Sequence, residues 1–184
     1  PLYFGGVLRH DPLNPHWPDR DRFILSKGHG APALYTALAM RGYFPEADLG
    51  TLRVIGSPLE GHPNMLRLPG VEASTGSLGQ GLSLGVGHAL AARLDGRDYR
   101  TYVAIGDGES QEGQVWEAAM SASKFGLDNL VCILDHNEYQ QTGAVKGVMP
   151  IESVNERWSA FGWNVIEIDG HDLGAVFAAY DEAK

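Results

Sequence analysis

The sequence predicts an α/β fold, a three-layer sandwich built on a mostly parallel sheet. Short apolar, β-favouring runs at 101–105, 130–134 and 163–168 alternate with helix-like segments. Strands that alternate with helices pair in parallel through right-handed crossovers, and the helices then cover both faces of the sheet. In addition, 43% of the 184 residues are hydrophobic, which is enough for one domain with a substantial core.

The first quarter of the chain leads through a glycine-rich loop into a helix. Residues 1–25 are irregular, rich in Pro, Asp and Arg, and end in a short apolar run. The loop "SKGHGAP" follows at 26–32 and ends in Pro32, which suits a first helical turn because its missing N–H costs no hydrogen bond there. Gly42 is expected to end this helix. A short helix is expected around residues 45–55.

A second glycine-rich loop, "STGSLGQG" at 74–81, leads into a helix predicted over residues 80–94. In this helix Gly81, Gly85 and Ala89 recur every four residues and therefore share one face. Small residues on one face allow a helix to approach a neighbouring backbone closely. We expect that contact to lie inside the α/β layers.

The remaining elements continue the alternation of strands and helices. A helix over about 112–125, ended by Gly126, follows the first of the three strands, and the loop "DHNEYQQTG" at 135–143 follows the second. A helix near 152–160 precedes the third strand, and a last helix begins at Asp172.

Composition and charge argue against several classes of protein. The net charge of −9 argues against a nucleic-acid-binding surface and against adhesion to an anionic membrane. No apolar stretch reaches the roughly 18 residues of a membrane span, and no signal peptide is visible, so a cytoplasmic location fits best. The single cysteine, Cys132, lies in an apolar run and is expected to be a buried, reduced thiol.

Two oxygen-bearing side chains follow the ends of neighbouring predicted strands. Asp107 ends the first of these strands and Asn137 follows the next, an interval of about one βαβ unit. Ligands of open α/β sheets sit outside the carboxyl ends of the strands. A carboxylate, an amide and a backbone carbonyl suit Mg²⁺, and Gly108 would let a phosphate approach the backbone. The alternative is an ordinary surface turn, since Asp-Gly after a strand is common turn chemistry.

Five motifs then carry a resemblance to a known family. "GDGESQEGQVWEAAMSAS", followed by "LDNLVCILDHN", resembles the thiamine-diphosphate signature of the transketolases. "FILSKGHGAPALY", "GHP" and "PGVEASTGSLGQG" are similar to other transketolase segments and occur in the family order. The resemblance runs from about residue 14 to residue 172. It is closest to the amino-terminal half of transketolase, and especially to transketolases encoded as two subunits.

The resemblance implies a thiamine-diphosphate-binding fold and a bound metal ion. Asp107 and Asn137 would ligate Mg²⁺ through their side chains and Tyr139 through its backbone carbonyl, with Ca²⁺ or Mn²⁺ as possible substitutes. Gly108 and Asn137 would also contact the diphosphate of thiamine diphosphate. The residues that would contact its aminopyrimidine ring and its bend are Gly76, Ser77 and Leu78.

The resemblance also implies roles for two histidines and two glutamates. His29 and His62 would be catalytic, near the thiazolium and the donor ketose, and His29 would contact the cofactor as well. Glu112, a cofactor contact, and Glu117 would lie towards the subunit interface. For Glu112 the alternative is an acid that complements the dipole at a helix start. Where many thiamine enzymes have a second asparagine this chain has His136, whose role stays open.

The activity implied is that of a transketolase, which transfers a two-carbon ketol unit from a ketose phosphate to an aldose phosphate in the pentose phosphate pathway. The site would be completed by a pyrimidine-binding domain or carboxy-terminal subunit, in a homodimer or heterotetramer. Alternatives are a deoxyxylulose-phosphate synthase, a dihydroxyacetone synthase, a 2-oxo-acid dehydrogenase component, or a non-catalytic interaction paralogue. A nicotinamide-binding Rossmann domain is disfavoured because the glycines at 79–85 have the wrong intervals.

The domain organisation is expected to be simple. Residues 1–184 are predicted to form a single diphosphate-binding domain, since no linker or internal repeat divides the chain. The chain begins at Pro1 without a methionine and stops at Lys184 inside a helix-like run. We therefore expect a fragment of a longer protein, truncated at both ends.

Overall fold

A parallel sheet of three strands lies at the centre of the computed structural model, which describes residues 1–141 and 143–184. The strands are β1 (Arg22–Leu25), β2 (Thr101–Gly106) and β3 (Leu130–Asp135), in the spatial order β1-β2-β3. Leu25 is paired with Ala104, and Gly106 with Asp135. The carboxyl ends of the strands therefore meet at one edge of the sheet.

Helices and a small hairpin surround this sheet. The α-helices are α1 (Ala31–Met40), α2 (Gln80–Leu94), α3 (Gly113–Lys124), α4 (Val145–Val148), α5 (Val154–Ala160) and α6 (Leu173–Glu182). Short 3₁₀ helices span Gly28–Gly30, Glu46–Thr51 and Gly108–Gln111, and β4 (Tyr139–Gln140) pairs antiparallel with β5 (Gly143–Ala144). Within the described residues, no helix combines the length and the hydrophobicity needed to cross a membrane.

Two hydrophobic clusters fill the space on either side of the sheet. Side chains alternate across β2, so Val103 and Ile105 join the cluster beneath α2 and α3, while Tyr102 joins the cluster beneath α1. Both clusters contain side chains that are almost completely buried. The arrangement of helices, parallel sheet and helices confirms the predicted three-layer α/β fold.

The glycine face of α2 explains how this helix lies so close to the sheet. A β-carbon at Gly81 would overlap the side chain of Ser26, and one at Gly85 would overlap the Cγ2 methyl of Val103. Gly87, on another face, has nothing within 4 Å of the position of a β-carbon. The predicted close contact is thus made inside the domain, between α2 and the sheet.

Most of the predicted helix limits are confirmed by the structure. Gly42 and Gly126 follow α1 and α3 with φ angles of +85° and +57°, the left-handed backbone that glycine adopts readily. At the start of α6 the Asp172 carboxylate accepts hydrogen bonds from the N–H groups of Gly174 (2.8 Å) and Ala175 (3.2 Å). The helix expected over 45–55 is shorter and of the 3₁₀ type.

The prediction of a third strand at 163–168 is wrong. In the described structure these residues pair with no strand, and a cleft of about 1100 Å³ is lined by this segment together with β3. Trp163 instead packs edge-on against Trp158 of α5 and donates its Nε1–H to the carbonyl of Ala119 (3.1 Å). These contacts hold the start of the segment on α3 and α5 rather than on the free edge of β3.

Two smaller predictions also need correction. The expected loop at 135–143 contains β4 and the start of β5, so part of it is a hairpin; Thr142 lies outside the described residues. Cys132 is a free thiol, as expected, but its side chain is only half-buried. It lies on β3 and lines the cleft. Desolvation nevertheless raises the pKa of the Cys132 thiol, so the thiol stays protonated at neutral pH.

Candidate functional site

The Asp107 carboxylate lies directly after β2 and is only 1% exposed. Its Oδ1 accepts the N–H of Gly108 (2.7 Å), and its Oδ2 accepts the N–H of Glu138 (2.6 Å). A buried carboxylate is costly unless hydrogen-bond donors satisfy it, and here backbone amides do so. These bonds aim the carboxylate at the loop that follows the neighbouring strand.

The end of β3 brings Asn137 to the same edge of the sheet. The N–H of Asp107 donates to the carbonyl of Asp135 (3.2 Å), which fixes the two strand ends side by side. Asn137 donates from Nδ2 to the Asp135 carboxylate (3.1 Å) and accepts the N–H of Tyr139 at Oδ1 (2.9 Å). Since Glu138 contacts Asp107 directly, Asn137 lies one residue from that contact. Its side chain is exposed, as is that of Tyr139.

An ion pair joins this edge to the first glycine-rich loop. Lys27 donates from Nζ to Oδ2 of Asp135, the carboxylate that also holds Asn137. Partial burial opposes ionisation of Asp135, but the hydrogen bonds from Lys27 and Asn137 outweigh it and lower the pKa of this carboxyl group. Sequence reasoning missed both Lys27 and Asp135, because their roles depend on a contact between distant loops.

Gly108 faces the hairpin that follows β3. A β-carbon at Gly108 would lie 2.7 Å from Cβ of Gln140, so a larger residue would push the hairpin away. Gln111 holds the hairpin and the segment after it in place, because its Nε2 donates to Oε1 of Gln140 and to the carbonyl of Met149 (2.7 Å). Gln111 was not identified from the sequence, although it lies in the run "GDGESQEGQVWEAAMSAS" that carries the family resemblance.

The loops of the two predicted catalytic histidines, His29 and His62, converge on Gly76. Gly76 has a φ of +151°, and a β-carbon there would lie 3.0 Å from Cγ of His62. A β-carbon at Gly28 would lie 2.8 Å from the nitrogen of Gly76, so the loop that carries His29 runs against the same backbone. Tyr35 fixes the loop of His62 by donating to the His62 carbonyl (3.0 Å). The loops around residues 28, 62 and 76 therefore meet at one glycine.

The two predicted catalytic histidines have exposed side chains. His29 lies in the 3₁₀ helix Gly28–Gly30, and His62 follows Gly61 in the loop beneath α1. Both imidazoles are therefore open to a ligand, as proton-transferring groups must be.

The two residues after Gly76 differ in exposure. Leu78 is half-buried, whereas Ser77 is exposed and accepts a hydrogen bond from Gln80 (3.2 Å).

Glu112 lies at the start of α3, beside the second glycine-rich loop. A β-carbon at Gly79 would lie 2.7 Å from Cβ of Glu112, and the Gly79 φ of +84° favours glycine in any case. The Glu112 side chain is exposed and makes no capping hydrogen bond to α3. Glu117, further along α3, is exposed too. Both carboxylates are accessible to groups outside the described chain.

Comparison with known families identifies the family of this chain. Residues 2–184 match the family described as "Transketolase, thiamine diphosphate binding domain". The chain belongs to this family. The suspected resemblance to the amino-terminal domain of transketolase is thereby confirmed.

Individual relatives agree with the family match. The chain is similar to the 6-deoxy-6-sulfo-D-fructose transketolase subunit SqwG of Clostridium sp. (strain MSTE9), with 49% identity over the whole chain and 66% of that relative. It is 46% identical to one of the subunits of the apulose-4-phosphate transketolase of Phocaeicola vulgatus, over 97% of the chain and 63% of the relative. The chain thus spans slightly less than two thirds of the length of these subunits.

Solved transketolase structures share the fold. The transketolase of Leishmania mexicana superposes with a TM-score of 0.92 at 36% identity, covering 99% of this chain and 29% of that one. The transketolase of Campylobacter jejuni subsp. jejuni gives a TM-score of 0.91 at 38% identity, over 96% and 29% of the two chains. The chain therefore corresponds to less than a third of the length of those transketolase chains.

The residues at the sheet edge fit thiamine diphosphate. The donor set predicted for a metal ion consists of the Asp107 carboxylate, the Asn137 amide and the Tyr139 carbonyl, all of them oxygens. Such sets suit Mg²⁺, which completes its coordination shell with water and ligand phosphates. Gly76 and Gly108 both lie in closely packed backbone, where a β-carbon would lie 3.0 Å from Cγ of His62 and 2.7 Å from Cβ of Gln140, respectively. Among the described residues, no three side chains of the types His, Cys, Asp and Glu are arranged to share a metal ion.

Proposed function

We propose that the chain supplies the magnesium–diphosphate half of a thiamine-diphosphate-dependent ketol-transfer site. The observation that carries this proposal is the Asp107 carboxylate, buried at the end of β2 and bonded to the N–H of Glu138 beyond β3. It offers an anionic oxygen where two strand ends meet. Asn137 and the Tyr139 carbonyl would complete the protein ligands of Mg²⁺.

The proposed reaction moves a two-carbon ketol unit from a ketose phosphate to an aldose phosphate. Bound thiamine diphosphate supplies the electron sink for breaking the carbon–carbon bond beside a ketose carbonyl. In the proposal Gly108 and Asn137 hold the diphosphate, and Gly76, Ser77 and Leu78 shape the pocket for the ring system. Support comes from the transketolase family match and from the subunits that resemble this chain.

His29 and His62 are proposed to move protons to and from the sugar hydroxyls. An imidazole titrates near neutral pH and can both accept and donate a proton. The contact between Gly76 and the His62 ring supports the proposal, because it joins a proposed cofactor residue to a proposed catalytic one. Loss of a general acid or base costs roughly 10²–10⁴-fold in rate. We therefore expect impaired rather than abolished turnover when either histidine is replaced.

The proposed site needs a partner. Glu112 and Glu117 are exposed and would face a pyrimidine-binding domain or carboxy-terminal subunit, in a homodimer or heterotetramer. Relatives named as transketolase subunits support a split enzyme. The isolated chain is expected to bind cofactor weakly and to show no ketol transfer.

Calorimetric titration with thiamine diphosphate and Mg²⁺, with and without a pyrimidine-domain partner, tests the proposal. We expect Asp107→Ala to abolish measurable binding, since it removes the single carboxylate among the proposed metal ligands. Asp95→Ala, at an exposed aspartate that ends α2, is the control and should bind like wild type. Repeating the titration with Ca²⁺ and Mn²⁺ tests the proposed substitutes.

Three results would contradict the proposal. The metal site is wrong if Asp107→Ala binds thiamine diphosphate as tightly as wild type. The assignment to ketol transfer is wrong if the loaded complex binds cofactor yet transfers no ketol unit between sugar phosphates. The split site is wrong if the isolated chain is fully active. Thermal unfolding of each variant separates lost binding from lost folding.

A further inference from the structure

Glu109 is a second buried carboxylate, placed behind the end of β2 and only 3% exposed. Its Oε1 accepts the N–H of Gly79 (2.9 Å) and the hydroxyl hydrogen of Ser26, and its Oε2 accepts the N–H of Gly106 (3.1 Å). The three donors come from three segments that are far apart in sequence. Sequence reasoning did not single out Glu109.

Ser26 connects this network to a fourth group, the N–H of Gly81. Its side chain is completely buried, and its N–H donates to the carbonyl of Ala104 in β2 (2.8 Å). The Ser26 hydroxyl accepts the N–H of Gly81 (3.0 Å) while it donates to Glu109. A β-carbon at Gly81 would overlap Ser26, so this contact requires glycine there.

Fixed dipoles, rather than a basic side chain, stabilise the Glu109 carboxylate. Within the described residues, no Lys, Arg or His forms an ion pair with it. It lies instead at the amino-terminal end of α2, where Gly79 is the N-cap residue. Carboxylates are favoured at this end because the helix dipole is positive there and the first N–H groups lack helical partners.

The segments held by this network are those that carry the proposed cofactor groups. Ser26 begins the loop of His29, Gly79 ends the loop of Gly76, Ser77 and Leu78, and Gly106 immediately precedes Asp107. The two proposed halves of the cofactor pocket, the diphosphate end and the ring end, are thus tied to one carboxylate. The ties are polar and buried, and losing one partner leaves another polar group unsatisfied.

We propose that Glu109, together with Ser26, is a positioning residue that sets the distance between the metal-binding end and the ring-binding end of the cofactor pocket. Neither side chain would contact the cofactor, since both are buried behind the glycine loops. This inference rests on the proposed function. Glu109 and Ser26 belong to none of the predicted metal, cofactor or catalytic sets.

Glu109→Gln is the sharpest variant because it preserves size while changing the donor pattern. If the amide oxygen keeps the bonds from Ser26 and Gly79, the amide nitrogen faces the N–H of Gly106, and two donors then oppose each other. The flipped amide instead places its nitrogen against the N–H of Gly79, and the Ser26 hydroxyl loses its acceptor. Ser26→Ala removes both the donor to Glu109 and the acceptor for Gly81. Thr101→Val is the control, because Thr101 is equally buried in β2 but its hydroxyl has no hydrogen-bond partner among the described residues.

Two measurements on the chain assembled with its pyrimidine-domain partner test the inference. The first is the affinity for thiamine diphosphate in Mg²⁺, which Glu109→Gln and Ser26→Ala should weaken about 10–100-fold, as is typical when a group that orients metal ligands is lost. The second is hydrogen exchange without cofactor, which should become faster in the peptides covering 26–30, 74–81 and 104–108 and remain unchanged elsewhere. Thr101→Val should alter neither readout.

The outcomes distinguish this inference from the proposed function. If wild type and Glu109→Gln bind the cofactor equally tightly, the positioning role is refuted while the proposed function stands. If wild type binds no thiamine diphosphate, the proposed function fails and the positioning role fails with it. If exchange in Glu109→Gln rises throughout the chain along with a general loss of stability, Glu109 only supports the core and the inference is refuted.

Discussion

Strand β2 and the segment at 163–168 have similar apolar patterns but different structures. β2 is paired on both edges, by β1 and β3, and its residues are buried or half-buried. The segment at 163–168 pairs with no strand in the described structure and contains half-buried and exposed residues. A short apolar, β-favouring run indicates a tendency to form a strand. A strand forms only where the tertiary structure also supplies a partner edge and a covering layer.

The largest expected effect tests this difference with matched isoleucines. Ile105 in β2 is completely buried, whereas Ile168 is 39% exposed. Ile105→Ala should lower the free energy of unfolding by about 2–5 kcal/mol, and Ile168→Ala by about 1 kcal/mol at most. Chemical denaturation of both variants measures the two losses. Equal losses would contradict the comparison and would indicate that 163–168 packs in the core as a strand.

An intermediate effect is expected at the contact between α2 and β2. Gly85→Ala places a methyl group onto Val103, and overpacking costs typically about 1–3 kcal/mol, partly offset by the better helix propensity of alanine. Gly87→Ala, on the same helix but with open space around it, should instead stabilise the protein by about 0.5–1 kcal/mol. Thermal unfolding compares the two variants. If both substitutions stabilise the protein, α2 does not pack tightly against β2 at Gly85.

The smallest expected effect is a pH dependence carried by His88 of α2. Burial lowers the pKa of His88; the nearby Glu72 carboxylate opposes this shift, and Arg22 and Arg20 add to it. The folded pKa thus lies below the unfolded pKa of about 6.5, and the unfolded state binds more protons between the two values. Stability should therefore fall as the pH drops through this window.

His88→Gln should reduce that loss of stability. The measurement is the free energy of unfolding at about pH 7.5 and at about pH 5 for both proteins. A residual slope is expected from His10, whose pKa burial also lowers. An identical difference between the two pH values in His88→Gln and wild type would contradict the assignment.

Local sequence signals were enough to predict the elements with strong start and stop residues. Gly42 and Gly126 end helices and Asp172 begins one, as predicted, because backbone conformation and capping depend on a few neighbouring residues. The position of Asp107 at the end of a strand was predictable for the same reason. The roles assigned to Asp107, Asn137, His29 and His62 stay predictions until cofactor binding is measured.

Contacts between segments that are distant in the sequence could not be predicted from local signals. Glu109 and Ser26 are 83 positions apart, and nothing near either residue indicates that they are bonded. The Lys27–Asp135 pair spans 108 positions. In both cases a sheet with parallel strands brings the loops together, because the carboxyl ends of its strands all lie at one edge.

By itself the sequence determined the alternation of strands and helices, the glycine-rich loops, the aspartate at the end of β2 and the transketolase resemblance. These follow from periodicity, backbone conformation and motif order, which are properties of neighbouring residues. Only the tertiary structure decided that the segment at 163–168 stays unpaired and that one buried carboxylate ties three loops together. The physical reason is that pairing and burial require partners from distant parts of the chain, whose proximity exists only once the chain has folded.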